Sequence, residues 1–231
     1  VLRSRTPSAE TSMFFPQAVV FPGDALFLFK RGLKMRTDLD SLHVFNGQNQ
    51  SIRFDDYFKQ GKLTAFIVIR NDSIIYQKFA DGYADSTLTT IFSGAKSFIS
   101  IMIGQALAEG DIKSLNDKVI DYIPELRTNT AFHHISIKNL LDMKSGLAFQ
   151  DAFGGFIKAF FSDEAKYYYT SDMKAELMNV KLVNAPGTVW KYKSIDPILL
   201  GWVLESATKR TVAQYFQEKV WVKIGSQYKA T

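Results

Sequence analysis

The most informative hydrophobic pattern in the chain is a long apolar run at residues 93–109, which ends at Gly110. Its apolar side chains surround almost the whole circumference of a helix, and a helix that is apolar all round is typical of a protein interior. Residues three apart stack on one face at about 3.6 residues per turn. The pattern therefore predicts a buried helix that points Ser93 and Lys96 the same way. The same face continues with small residues, namely Ser97, Ser100 and Gly104.

Shorter patterns predict the other elements of the chain. Stretches rich in β-branched and apolar residues predict a hairpin of strands 63–70 and 74–79, with turn chemistry at Asn71-Asp72. Helix-start signals include a capping serine at Ser136 and a capping box formed by Thr211 and Gln214. Besides the run at 93–109, the predicted helices are 54–60, 137–144, 170–180, 195–207 and 211–222.

The chain divides into an N-terminal arm and linker, residues 1–60, and a domain at residues 61–231 whose helical part covers about 93–190. Residues 13–29 are apolar but interrupted by prolines. An arm packed on the body is the favoured interpretation of residues 13–29, and a membrane-proximal leader is the alternative. Residues 30–51 carry turn signals and predict an irregular linker.

Composition narrows the class of protein. A chain of 231 residues with 46% hydrophobic residues can build a sizeable core. The net charge of +5 is spread along the chain, so we predict no nucleic-acid partner. The absence of cysteine excludes disulfides, thiolate metal sites and a cysteine nucleophile. No window is apolar over the roughly 18 residues that a membrane span requires. The chain begins with Val1, so the absence of a signal peptide is uninformative.

The pairing of Ser93 with Lys96 has a chemical consequence. A serine hydroxyl is a poor nucleophile until a base takes its proton. Burial disfavours the charged form of a lysine and so enables it to act as that base. The first-turn N–H groups and the helix dipole favour negative charge beside the serine. One helical turn can therefore supply nucleophile, base and oxyanion donor, although a chance S-x-x-K at a solvated helix start is the alternative on this tetrapeptide alone.

A series of further motifs follows Ser93 and Lys96 in a fixed order. The series comprises Gly110-Asp111-Ile112, Leu115-Asn116-Asp117-Lys118-Val119, Tyr122-Ile123-Pro124-Glu125-Leu126, Lys144-Ser145-Gly146-Leu147, Pro186-Gly187, Tyr192-Lys193-Ser194 and Leu199-Leu200-Gly201. The series resembles the serine β-lactamase-like, penicillin-binding-protein-like superfamily. This superfamily includes class C β-lactamases, D-alanyl-D-alanine carboxypeptidases, esterases and 6-aminohexanoate-oligomer hydrolases. The resemblance covers roughly residues 60–230.

The resemblance implies roles for four residues. Ser93 would attack a carbonyl and form an acyl-enzyme, and Lys96 would share its proton. Tyr192 matches the tyrosine of the family's Y-x-N or Y-x-S element, whose phenol helps to transfer protons; a buried aromatic with a satisfied hydroxyl is the alternative. Ser194 matches the last position of that element and would contact substrate. Many relatives have asparagine there, so the serine resembles the esterase and aminohexanoate-hydrolase branch.

The resemblance also implies a fold and a function. The fold would be α/β (α+β), with an antiparallel sheet flanked by helices and a mostly helical subdomain. The function would be hydrolysis of a small-molecule or peptide-like amide or ester through an acyl-enzyme, without a cofactor. A catalytically inactive protein that binds a cell-wall peptide or a protein partner is the alternative. The resemblance favours a periplasmic or otherwise extracytoplasmic location, and a cytoplasmic one stays open.

The family's third motif, Lys or His followed by one residue and Gly, is not found after Tyr192. Lys144-Ser145-Gly146 precedes Tyr192, and Lys223-Ile224-Gly225 ends the capping-box helix, so we assign neither. Relatives continue with further sheet strands beyond the position of Thr231. We therefore expect the C-terminal strands to be missing from this chain, so that either another chain supplies them or the site is open and weakly active.

His133 and His134 raise the question of a metal site. Adjacent side chains point apart on a helix or a strand, and no Asp or Glu stands at a useful spacing. We therefore predict no metal site.

Overall fold

The computed structural model describes residues 16–151, 162–170 and 172–231. Residues 1–15 of the predicted arm therefore lie outside the described residues. A hairpin of β4 (Ala65–Arg70) and β5 (Ser73–Phe79) forms where the stretches rich in β-branched and apolar residues predict it. Asn71 and Asp72 both adopt left-handed backbone, with φ of 50° and 54°, which is typical of a tight hairpin turn.

The segment predicted as an irregular linker contains short strands. β1 (Lys30–Arg31) pairs in parallel with β5, giving a sheet of order β1-β5-β4, while β2 (His43–Phe45) and β3 (Ser51–Arg53) form a second hairpin. The prediction of an irregular linker is therefore wrong, because the pairing of β1 depends on a strand about forty residues away. The division of the chain at residue 60 stays a prediction.

Polar contacts attach this N-terminal region to the sheet. Lys78 on β5 reaches Asp40 and Asp55, each at 2.6 Å, and the Tyr76 hydroxyl donates to Asp40 at 2.7 Å. The hydrogen bonds from Lys78 and Tyr76 lower the pKa of Asp40. The pKa of Asp55 is lowered mainly by a hydrogen bond from Lys59 and then by the one from Lys78. Backbone bonds connect Val20 with Ala230 and Phe27 with Gly225, so the described part of the arm contacts the body.

The helices form the larger part of the structure. The first of them is α1 (Phe54–Gln60), which packs with Tyr76 in a small core of its own. The others are α2 (Ala95–Glu109), α3 (Val119–Tyr122), α4 (Ile137–Leu141), α5 (Asp163–Tyr169), α6 (Met173–Met178), α7 (Ile195–Thr208) and α8 (Val212–Phe216), the last of which continues in a π-helical turn, Gln217–Trp221.

Local signals set most of the helix ends. Gly110, at φ 83°, ends α2, and Ser136 and Thr211 cap α4 and α8 through the N–H groups three residues on. The predicted helix at 137–144 is shorter than expected, because Met143 adopts a left-handed backbone with φ 55°. Helix α5 was not predicted. Within the described ranges, the chain has no helix with the length and apolarity needed to span a bilayer.

Helix α2 packs against α7 across the main hydrophobic core. Met102, Ile103 and Ala106 of α2 are buried, whereas Ile101 is 53% exposed, and Ser97 and Gly104 are exposed too. The prediction of a helix buried all round is therefore wrong for this structure: α2 buries one side and presents the Ser93 side to solvent. Strand β4 is also exposed along most of its length.

Candidate active site

Ser93 lies at the sharp turn that leads into α2. Residues Phe92–Gly94 form a 3₁₀ turn, and α2 begins directly after it. Phe92 has a φ of 47°, a left-handed backbone that is uncommon for a bulky residue. The turn presents the Ser93 side chain on the exposed side of the helix, at the positive end of the α2 dipole.

Lys96 stands one helical turn further along and reaches back to Ser93. Its Nζ atom lies 3.1 Å from Ser93 Oγ, within hydrogen-bond distance. The same ammonium lies over the ring of Tyr192, 5.2 Å from the ring centroid, which is a cation–π distance. The structure therefore brings Ser93, Lys96 and Tyr192 to one place, although Tyr192 is about a hundred residues away in sequence.

Tyr192 belongs to an irregular segment, residues 191–194, that leads into α7. Ser194 follows at the start of α7, where its N–H donates to Asp151 Oδ1 at 2.9 Å. Its hydroxyl lies 3.5 Å from Glu164 Oε1. Two acidic residues that sequence reasoning did not select, Asp151 and Glu164, therefore contact the last position of the Y-x-S element.

Beneath this segment lies a buried polar network that sequence reasoning also missed. Lys193 Nζ donates to Ser145 Oγ at 2.8 Å, and the Ser145 hydroxyl donates to Asp196 Oδ1 at 2.6 Å. All three residues are at most 1% exposed. The sequence contains one indication of this network, namely a lysine and an aspartate three residues apart at the start of an otherwise apolar helix.

Burial changes the proton affinity of both charged groups in the network. It raises the pKa of Asp196 to about 6, an effect that the Ser145 hydrogen bond and the Lys193 charge only partly offset. It also lowers the pKa of Lys193. The Oδ2 atom of Asp196 lies 3.9 Å from Lys193 Nζ.

Asp196 should give the protein a defined pH dependence of stability. Its pKa rises from 3.8 to about 6 on folding, so the stability it adds is present at low pH and is lost as the pH rises through about 6. Relative to Asp196→Asn, the free energy of unfolding of the wild type should increase by about 2 kcal/mol between pH 7 and pH 4.5. Urea unfolding measures this difference, and parallel pH profiles would contradict it.

The histidine pair has a structural explanation. The His133 Nε2 atom lies 2.9 Å from the backbone carbonyl of Arg127, whereas His134 is exposed. Among the described residues, no three His, Cys, Asp or Glu side chains come together as a metal site would require. The predicted lack of a metal stays a prediction.

The chain is similar in sequence to a known family and to several known proteins. The family model described as "Beta-lactamase" matches residues 54–226. Protein flp of Staphylococcus aureus (strain COL) is 25% identical over an alignment of 170 residues, and the match covers 69% of this chain and 32% of that protein. The 6-aminohexanoate-dimer hydrolase of Paenarthrobacter ureafaciens is 21% identical over an alignment of 181 residues, and the match covers 72% of this chain and 44% of that protein.

A solved structure shows the same fold. It is a Bacillus anthracis protein assigned as a 6-aminohexanoate-dimer hydrolase, with a TM-score of 0.80 at 22% identity. The match covers 96% of this chain and 59% of that protein, so the chain spans less than two thirds of the length of these relatives. The predicted fold class and the resemblance are confirmed, and the roles of Ser93, Lys96, Tyr192 and Ser194 stay predictions. Because the family model matches well over half of its residues, the chain belongs to the beta-lactamase family.

Proposed function

We propose that this protein is a serine hydrolase that forms an acyl-enzyme at Ser93 with an amide or ester substrate. The observation that carries the proposal is the contact of Lys96 Nζ with Ser93 Oγ at 3.1 Å, with the Tyr192 ring against the same ammonium. A nucleophile within hydrogen-bond reach of a base, which a third group orients, is the arrangement that covalent catalysis needs.

The chemistry follows from this arrangement. For Ser93 Oγ to attack the substrate carbonyl and form a tetrahedral oxyanion, its proton must pass to Lys96, a step that requires the amine form of this lysine. The dipole of α2, whose first turn follows Ser93, favours this negative charge. The C–N or C–O bond then breaks, and the leaving group takes a proton from Lys96 or through the Tyr192 hydroxyl. Water hydrolyses the resulting serine ester and regenerates Ser93.

The substrate class is proposed only broadly. A small-molecule or peptide-like amide or ester agrees with the family, and an extracytoplasmic location would suit a cell-wall peptide. Specificity depends on the groups that line the pocket and does not follow from the fold. Because the chain spans a third to three fifths of its relatives' lengths, their activities do not transfer directly. Acylation of Ser93 needs fewer groups than full turnover and is the sharper prediction.

A catalytically inactive protein that binds a cell-wall peptide or a protein partner is the second candidate. The observation that favours it is the exposure of Ser93 on the open side of α2, where water competes with any substrate. In that case the contact between Ser93 and Lys96 would persist, but Ser93 would not react faster than an ordinary serine.

Intact mass spectrometry separates the two candidates. We would incubate the folded protein with a fluorophosphonate, a penicillin, a p-nitrophenyl ester and a short p-nitroanilide. We expect at least one reagent to add one acyl or phosphonyl group, and digestion should place it on Ser93. The urea-unfolded protein is the control and should stay unmodified. If no reagent reacts, or if the adduct lies on another residue, the hydrolase proposal fails.

A further inference from the structure

The residues on either side of Tyr192 are held from below by the loop at residues 143–149. Lys191 Nζ donates to the Phe149 carbonyl at 2.8 Å, and the Lys191 N–H donates to the Met143 carbonyl at 3.0 Å. Lys193 Nζ donates to the Leu147 carbonyl at 3.3 Å as well as to Ser145 Oγ. Both lysines are therefore anchored on this loop, while Tyr192 between them contacts Lys96.

The buried contacts of Lys193 are not explained by a gain in stability. The Lys193 amino group and the Asp196 carboxyl group are both removed from water, and burial disfavours the charged form of each. Asp196 Oδ2 lacks a hydrogen-bond partner among the described residues, so the network is incompletely satisfied. Replacing a buried ion pair with apolar side chains is often neutral or stabilising. Unlike apolar side chains, Lys193 and Asp196 make directional hydrogen bonds to the loop, and these bonds fix the position of the backbone at 192–194.

We propose that Lys193, held by Ser145 and Asp196, is a positioning residue that keeps Tyr192 against Lys96 for acylation of Ser93. The inference rests on the proposed function. Lys193 acts through Tyr192: its own Nζ contacts Ser145 and Leu147 and not the reacting atoms. Ser145 is the connection, because its one hydroxyl accepts from Lys193 and donates to Asp196.

A purely structural role makes a different prediction, and a double substitution separates the two. Lys193→Met leaves Asp196 buried and unpaired, so it should lower both stability and the acylation rate. Lys193→Met combined with Asp196→Leu removes both charges and should recover the stability. If Lys193 positions Tyr192, the folded double variant should still acylate about 100-fold more slowly than the wild type, because small misplacements of a catalytic group have effects of this size. If the role is only structural, the rate should recover with the stability.

The measurement is the single-turnover rate of acylation by one p-nitrophenyl ester, taken well below the Tm of each variant so that only folded molecules are compared. Lys138→Met is the matched control, because it removes an exposed lysine paired with Asp142 and should change nothing.

Hydrogen exchange provides a readout that does not depend on activity. The N–H groups of Lys191 and Ser194 are bonded to Met143 O and Asp151 Oδ1. Both amides should exchange faster in the folded double variant than in the wild type. If the wild type is not acylated at all, the proposed function fails and exchange alone decides the positioning role. A double variant with wild-type protection at both amides, or with the wild-type acylation rate, would overturn the inference.

Discussion

Replacing Ser93 with alanine should abolish acylation and hydrolysis while the protein stays folded. The alanine side chain has no oxygen to form the ester, and the loss should be at least about 10³-fold for a nucleophile that acts with a base. The free energy of unfolding should change by less than about 0.5 kcal/mol, because Ser93 is exposed. The one hydrogen bond that is lost, from Lys96 Nζ to Ser93 Oγ, lies at the surface, where water can replace it. Intact mass after reaction with the ester measures the first effect, and thermal unfolding measures the second.

Ser97→Ala is the matched control for this experiment. Ser97 lies about one turn along the same helix, is also exposed, and has the same chemical nature as Ser93. Its replacement should leave the acylation rate unchanged. Hydrolysis retained by Ser93→Ala would remove Ser93 from the mechanism, whatever the result for Ser97.

Replacing Gly146 with alanine should strongly destabilise the protein. Gly146 has a φ of 76°, which favours glycine, and a Cβ there would lie 2.0 Å from the backbone oxygen of Asn184. The Gly146 carbonyl accepts from the N–H groups of Val183 and Asn184, so the two segments cannot separate without losing these bonds. Strain and clash together should cost at least about 3 kcal/mol, in the upper range for single substitutions.

Urea unfolding measures this loss, and Gly47→Ala provides the control. A Cβ at Gly47 meets no atom within 4 Å, so its effect should stay below about 0.5 kcal/mol. A Gly146→Ala variant as stable as the wild type would show that the contact between residues 146 and 184 can relax. Because Ser145 is the neighbour of Gly146, a folded variant should also acylate more slowly.

The elements that were predicted correctly from sequence are those with local causes. The Thr211–Gln214 capping box, the Ser136 cap and the Gly110 stop all depend on residues within one or two turns. The hairpin turn at Asn71-Asp72 depends on its own two residues. The strands at 30–53 were missed because each is only two or three residues long, and β1 is defined by its distant partner β5.

The same distinction between local and distant contacts applies to the residues of the candidate site. Ser93 and Lys96 are three residues apart on a helix, so their contact follows from helix geometry. Tyr192 could be added only through the family resemblance, since nothing in its own neighbourhood in sequence points to Ser93. The Lys193 network was missed because Ser145, which joins Lys193 to Asp196, lies about fifty residues earlier. The hydrophobic pattern of α2 by itself did not predict the exposure of the Ser93 side, because an apolar pattern indicates what a helix can bury and not what covers it.

The left-handed backbone of Phe92 has a consequence for how Ser93 can be used experimentally. For a residue with a side chain, this conformation costs roughly 1–2 kcal/mol, so a free peptide with this sequence would rarely adopt it. The turn that presents Ser93 beside Lys96 therefore requires the folded protein and is lost on unfolding. If Ser93 reacts as proposed, the extent of its modification reports the fraction of molecules that are folded, and it does so in a cell lysate as well as in a cuvette.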